Sequence, residues 1–336
     1  MRSPPADLVQ KHLEKALAEG WRLRAASLAY VPEGGGSHHW KLTDADGQPH
    51  FVTVDDLDSK EWLGETRQAV LEGLRRALMT AATLRYQADL EFVVAPVAAC
   101  DGELLRVVDD RYTVSVFPYL VGRAHPFGPY TDPALRDQAL DLVVALHQAT
   151  PVVRDRALRH RPDFTGRADL QGFLLDPDRR WDGGPFSAAA HRLLAARSAD
   201  LARLASGFDH LVEVTAPLRA NPVITHGEPH PANLMSTGRR LVLIDWDTSA
   251  LGPPERDVAL IATASNEGVD RYTEAAGREL DSSVIALYRL RWYLDDLASA
   301  IRLFRNQHRD NADTHRWWRA LEPQLRRLPD WLDRLT

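Results

Sequence analysis

The chain has 336 residues, of which 44% are apolar and 26% charged, with a formal net charge of −6 and one cysteine. That length predicts roughly two domains, and the lone Cys100 excludes an intramolecular disulfide and any cysteine-cluster metal site. The mild acidity argues against nucleic acid as a partner, and no uncharged apolar run reaches the about 18 residues of a membrane span, so a cytoplasmic monomer or homodimer is expected.

The first third predicts strands around one long helix. An opening helix is expected from about Ala6 to Glu19, ended by Gly20. Three β-type runs follow, WRLRAASLAYV, HHWKLTD and HFVTVDDL, separated by the glycine cluster PEGGGS and the turn ADGQ, which predicts an antiparallel meander. Leu71, Leu74, Leu78 and Ala81 recur at helical spacing in a helix expected from about Trp62 to Tyr86. EFVVAPVAA and YTVSVFPYL read as two further strands, and LLRVV as an edge strand.

After Gly122 the pattern turns helical. DPALRDQALDLVVALHQAT opens on an Asp132 cap followed by Pro133; FSAAAHRLLAARSADLARLASGF and SSVIALYRLRWYLDDLASAIRLFRNQH give two more helices. One β interruption, VITHGEPHPANLMSTGRRLVLIDWD, lies between the last two. The boundary is therefore expected near Leu120–Arg123, dividing a β-rich region, 1–121, from a helical one, 122–336.

The chemistry concentrates in that interruption. His226-Gly-Glu-Pro-His230-Pro-Ala-Asn233 is followed, twelve residues after the asparagine, by Asp245-Trp-Asp247. Magnesium prefers a few oxygen ligands together with substrate phosphates, and the Asn233 amide oxygen with the Asp245 carboxylate supplies such a half-site. Glu228, five residues before Asn233, offers a carboxylate to an acceptor hydroxyl. A base or orienter followed by two metal ligands is the order used in phosphoryl transfer to an alcohol. His226 and His230 also have the spacing of a metallohydrolase pair, but Pro229 and Pro231 forbid the helix that pair requires. The deaminase signature that begins His-x-Glu lacks its cysteines. Asp245-Trp-Asp247 leaves open a nucleotide-sugar transferase.

HGEPHPANLM followed by LVLIDWDTSALGPPERDVALI resembles the paired signatures of the aminoglycoside phosphotransferase and choline kinase family. The IDWD…PPERD run is most similar to the spectinomycin-phosphotransferase-like branch. The resemblance implies an α+β, two-lobed, protein-kinase-like fold with a small antiparallel sheet and a larger helical lobe. It implies a kinase that moves the γ-phosphoryl of ATP or GTP to a hydroxyl of an aminoglycoside, aminocyclitol or other antibiotic-like alcohol, as in antibiotic resistance.

By the same resemblance Asn233 and Asp245 hold Mg2+, His226 shapes the loop, Glu228 stands at the general-base position and Asp257 braces the loop. Asp247 matches a frequently acidic position and is assigned to substrate. Gly34, Gly35, Gly36 and Ser37 cover the phosphates, and Phe117, Tyr119 and Leu120 lie at the hinge that meets the purine. The chain departs from the family twice: Glu228 replaces an aspartate, and Thr53 stands where the third strand should carry a phosphate-contacting lysine. Lys41, one strand away, is the substitute considered. A pseudokinase-like binding module is the alternative these departures leave open. Acceptor contacts are expected from Trp292, Asp295 and Asp296, where carboxylates and an aromatic ring suit a cationic aminocyclitol.

Overall fold

The computed structural model describes residues 1–238, 240–263 and 265–335. They divide into two compact units: Met1–His160 with Asn221–Leu280, and Arg161–Ala220 with the chain from Asp281 on. The sequence boundary near Leu120–Arg123 lies inside the first unit.

The first unit begins with helix α1 (Gln10–Trp21) and strands β1 (Ala25–Val31), β2 (His38–Asp44) and β3 (Pro49–Asp56). Helix α2 (Arg67–Tyr86) follows, then β4 (Arg106–Val108) and β5 (Tyr112–Pro118). The strands form one antiparallel sheet in the order β1-β2-β3-β5-β4, as the meander predicts. Alternation sorts its residues between two faces. Trp40, Leu42, Val52, Val54, Val114 and Val116 pack with Leu13, Leu17 and Trp21 of α1. The register pairs Lys41 with Phe51, His39 with Thr53 and Thr53 with Ser115, so these residues share the opposite face with Asp55.

Three expectations are corrected here. The opening helix starts at Gln10 and runs through Gly20, because Arg22 takes the left-handed turn (φ 57°) that ends it. A short 3-10 turn, Glu61–Leu63, precedes α2, whose first turn is capped by Thr66 accepting from the Ala69 N–H. Residues 91–99 do not form a sheet strand. Leu243 N–H donates to Phe92 C=O and Val94 N–H to Leu243 C=O, after which Val97 N–H donates to Val116 C=O. Pro96, which has no N–H, separates these two attachments.

The remaining strands of this unit are β6 (Gly122–Ala124), β7 (Val223–Thr225), β8 (Leu234–Thr237), β9 (Leu241–Leu243) and β10 (Ala250–Gly252). They pair as β6-β8-β9 and β10-β7. Helix α3 (Pro133–Gln148), capped by Asp132, contributes Leu140, Val143 and Leu146 to a core shared with Leu234, Leu243, Trp246 and Val258.

The second unit is helical throughout. Beyond a short helix α4 (Thr150–Val153), which still belongs to the first unit, it contains α5 (Arg167–Leu174), α6 (Ser187–Ala195) and α7 (Ser198–Val214). The single helix expected over 186–208 is thus two, broken at Arg197 with φ −121° and ψ 10°. Helices α8 (Glu255–Ile261) and α9 (Val269–Ala276) return to the first unit; α10 (Ser282–Arg305), α11 (Ala312–Arg326) and α12 (Leu328–Asp333) complete the second. No helix among the described residues is long and apolar enough to cross a membrane.

Candidate active site

The hairpin β8–β9 joins the two expected metal ligands. Leu234 faces Leu243, and one step further Ile244 N–H donates to Asn233 C=O at 2.9 Å. At the open end of the hairpin, Asn233 is therefore paired with the residue that immediately precedes Asp245. The Asn233 Nδ2 donates to Glu228 C=O at 2.9 Å, which turns its amide and leaves Oδ1 as the end available to a cation. Asp245 adopts φ 66°, a left-handed conformation that a non-glycine residue takes at some expense and that is common at functional sites. Burial raises its carboxyl well above the usual range, and Asp247, Glu228 and Asp55 add to this while Lys60 opposes it.

The loop between β7 and β8 is held by buried groups. Asp257 of α8 accepts from His226 N–H at 2.9 Å and from Gly227 N–H at 2.6 Å. His147, in the last turn of α3, donates from Nε2 to the same carboxylate at 3.0 Å, and the Tyr272 hydroxyl lies 2.7 Å from its Nδ1. Burial alone would raise Asp257, but His147, Arg256 and His226 hold it below the usual range.

His226 is fixed as one tautomer. Its Nε2 lies 2.9 Å from Ile244 C=O and can only donate there, so Nδ1 is left to accept from Glu228 N–H at 3.2 Å. Burial pushes its pKa down to about 4, keeping the ring neutral at pH 7. Gly227 has φ 100°, and a Cβ there would lie 2.2 Å from Arg256 Nη2, so only glycine fits. The loop thus presents the half-exposed Glu228 carboxylate from a rigid backbone, 3.9 Å from His230 Nε2.

On the sheet, Lys41 and Thr53 share a face, as alternation predicts. The Lys41 ammonium lies 4.7 Å from the Tyr119 ring centroid, and Thr53 Oγ1 is 3.4 Å from His39 Nδ1. Tyr119 and Leu120 follow β5 directly and are half-buried, like Phe117 at the end of that strand. Gly34 needs its freedom, with φ 81° and a would-be Cβ 2.9 Å from His39 Nε2, whereas Gly35 and Gly36 face open space. Ser37 donates to Asp55 Oδ1 at 2.6 Å.

The residue that sequence reasoning missed is Lys60. Its ammonium is fully buried and contacts Asp55 Oδ1 at 3.0 Å, Asp247 Oδ2 at 2.5 Å and Ser37 Oγ at 3.1 Å. Burial would lower its pKa, but Asp247, Asp55 and Asp245 together raise it above the ordinary lysine value, so the charge is kept. The only local signal was its place as one of four lysines, just after the acidic run Asp55, Asp56 and Asp58. Asp247, assigned to substrate from the sequence, has this ammonium as its partner.

Trp292, Asp295 and Asp296 lie on α10 in the second unit, and both carboxylates have partners there. Asp295 accepts from Thr165 N–H and pairs with Arg291 at 3.1 Å; Asp296 accepts from Gln324 Nε2 at 3.0 Å. Burial, then the charge of Asp295, pushes Asp296 up to about 6.

Residues 33–293 match the model of the phosphotransferase enzyme family. Protein StrN of Streptomyces griseus is 26% identical over 250 residues, covering 70% of this chain and 72% of that protein. Among solved structures, a spectinomycin phosphotransferase in complex with ADP and spectinomycin superposes with a TM-score of 0.70 at 16% identity, covering 93% of each chain. A microcompartment-associated aminopropanol kinase does so with a TM-score of 0.60 at 18% identity, covering 98% of this chain and 100% of its own. With a mixed α/β fold, an antiparallel sheet followed by helices and a family match spanning most of its length, the chain belongs to the phosphotransferase enzyme family and is a small-molecule phosphotransferase acting on a hydroxyl group.

Proposed function

We propose that the protein transfers the γ-phosphoryl of ATP or GTP to a hydroxyl of an aminoglycoside-, aminocyclitol- or other antibiotic-like alcohol, in the cytoplasm and in the setting of antibiotic resistance. The observation that supports this reading is the hydrogen bond from Ile244 N–H to Asn233 C=O, which pairs the asparagine with the residue just before the buried Asp245. Two hard oxygen donors, an amide oxygen and a carboxylate destabilised by burial, suit magnesium, whose remaining ligands would be phosphate oxygens and water. When bound between Asn233 and Asp245, the ion would neutralise phosphate charge.

The chain's own residues supply the rest. Glu228 orients the acceptor hydroxyl and takes its proton as the oxygen–phosphorus bond forms and the bond to the β-phosphate oxygen breaks. His226 and Asp257 act only through the loop backbone, fixing where Glu228 points. Backbone N–H groups of Gly34 to Gly36 cover the phosphates, and Phe117 to Leu120 receive the base.

Nucleotide consumption measured with ATP and GTP against aminocyclitols, aminoglycosides, nucleoside antibiotics and choline tests the reading directly. At least one acceptor is expected to raise consumption above the acceptor-free rate, and Asp245→Asn is expected to abolish magnesium-dependent nucleotide affinity. No acceptor-dependent turnover, or unchanged affinity in the variant, would count against it.

A further inference from the structure

The sheet face that carries Thr53 and Asp55 has no charged group at Thr53 itself, yet a nucleoside triphosphate is a polyanion. Asp55, Asp245 and Asp247 make the surroundings more negative still. Two cations are associated with this face, and they differ in their company. Lys41 lies over Tyr119, in the segment just past β5. Lys60 instead joins three pieces of chain: Ser37 at the end of the glycine cluster, Asp55 on β3, and Asp247, two residues from Asp245.

The ammonium's hydrogen bonds give it a definite capacity. It has three N–H donors; one goes to the Asp247 carboxylate and one to the Ser37 hydroxyl, while the Asp55 carboxylate lies 3.0 Å away as an ion pair. The carboxylates fix where the nitrogen sits and keep it charged. The bond to Ser37, a neutral hydroxyl that itself donates to Asp55, is the weaker of its two hydrogen bonds and the one a charged oxygen can replace. A phosphate oxygen arriving beside the glycine cluster would exchange a neutral acceptor for an anionic one without moving the lysine.

We propose that Lys60, delivered by the loop after β3 and held by Asp55 and Asp247, is the residue whose ammonium binds the phosphate chain of the nucleotide, in place of a lysine on β3 itself. This inference rests on the phosphotransferase reading of the site. It makes Lys60 a phosphate-binding residue, Asp55 and Asp247 its positioning residues, and Lys41 a neighbour of the base-binding segment. The competing explanation is that Lys60 is only a brace between Asp55 and Asp247.

The two are separated by counting phosphates. Affinities of AMP, ADP and AMP-PNP, and of the guanine series, are measured with magnesium for the unaltered protein and for Lys60→Met. Because the single variant leaves Asp55 and Asp247 buried without their cation, Lys60→Met/Asp55→Asn is measured beside it. The proposal expects AMP affinity to change by less than about twofold while AMP-PNP weakens about tenfold to a hundredfold, the loss of one charge-assisted hydrogen bond. Equal weakening of mono- and triphosphate, or none, overturns it in favour of the brace.

A second measurement needs no change at Lys60. With lysine labelled by ¹⁵N, one of four ammonium signals should shift with AMP-PNP and not with AMP, and it should persist in Lys41→Met. A shift that disappears in Lys41→Met overturns the assignment. If the unaltered protein binds none of the six nucleotides, the phosphotransferase reading falls and takes this proposal with it; tight binding that ignores Lys60 sinks the lysine assignment alone.

Discussion

Glu228 is one methylene longer than the aspartate expected at its position, and the loop fixes the backbone from which it starts. Glu228 N–H is committed to His226 Nδ1, and Glu228 C=O accepts from Asn233 Nδ2. Both main-chain groups of the residue are therefore tied to neighbours in the site. Glu228→Ala is expected to lower kcat by about a hundredfold or more with little change in nucleotide KM, the range for removal of a general base. Glu228→Asp, which draws the carboxylate back by about 1–1.5 Å, is expected to retain binding and lose rate, as a misplaced reacting group does. Steady-state kinetics with a responsive acceptor checks both; a Glu228→Ala protein with near-normal kcat would remove the residue from the chemistry. At this scale the sequence was legible where residues were close in the chain. Glu228, Asn233 and Asp245 fall within one short stretch, so order and spacing exposed them. Lys60 reaches Asp247 across 187 positions, and no periodicity connects the two.

Elements explain why the loop is so firmly held. Asp257 sits in the first turn of α8, His147 in the last turn of α3, and the loop they hold follows β7. Three elements thus converge on one carboxylate, which binds two backbone N–H groups and an imidazole. Asp257→Ala leaves the N–H groups of His226 and Gly227 buried without acceptors, at about 1–3 kcal/mol each. A lowered Tm is expected, together with a fall in kcat larger than the rise in KM, because Glu228 would lose its platform. Thermal unfolding and kinetics on the same preparation test this, and an unchanged kcat would show that the brace does not govern the loop. The meander and the β8–β9 hairpin were legible because alternation and turn residues are local signals. The 91–99 segment was not: its apolar run resembles a strand, but its hydrogen bonds go to Leu243 and then to Val116, choices made by tertiary packing.

Across the whole molecule, the compact units do not follow the change from strand to helix. The chain leaves the first unit after His160, returns at Asn221 for the β7–β8 loop and the β8–β9 hairpin, and leaves again after Leu280. Composition registers secondary structure, whereas this division depends on contacts between distant segments, which explains why a single boundary could not express it. The first unit also stores a dependence on acid. Burial pushes His39, His226 and His230 down to about 4 from an ordinary value of 6.5. In the unfolded chain these rings bind protons near pH 6.5; in the folded chain they resist until about 4. Between those values the unfolded state holds more protons, so stability rises with pH. The contribution is fully present above the unfolded pKa and is lost as pH falls toward the folded one. For the fully buried His226 alone the difference is on the order of 3 kcal/mol. Asp257, held below its ordinary value, acts in the same direction at still lower pH. Asp245 and Asp296, raised by burial, oppose this trend over part of the same interval, so the histidine contribution is read at the ring itself: ¹H NMR should find the His226 ring neutral at pH 6. A His226 ring that titrates near 6.5 would mean that this imidazole is solvated and that the loop it supports is open to water.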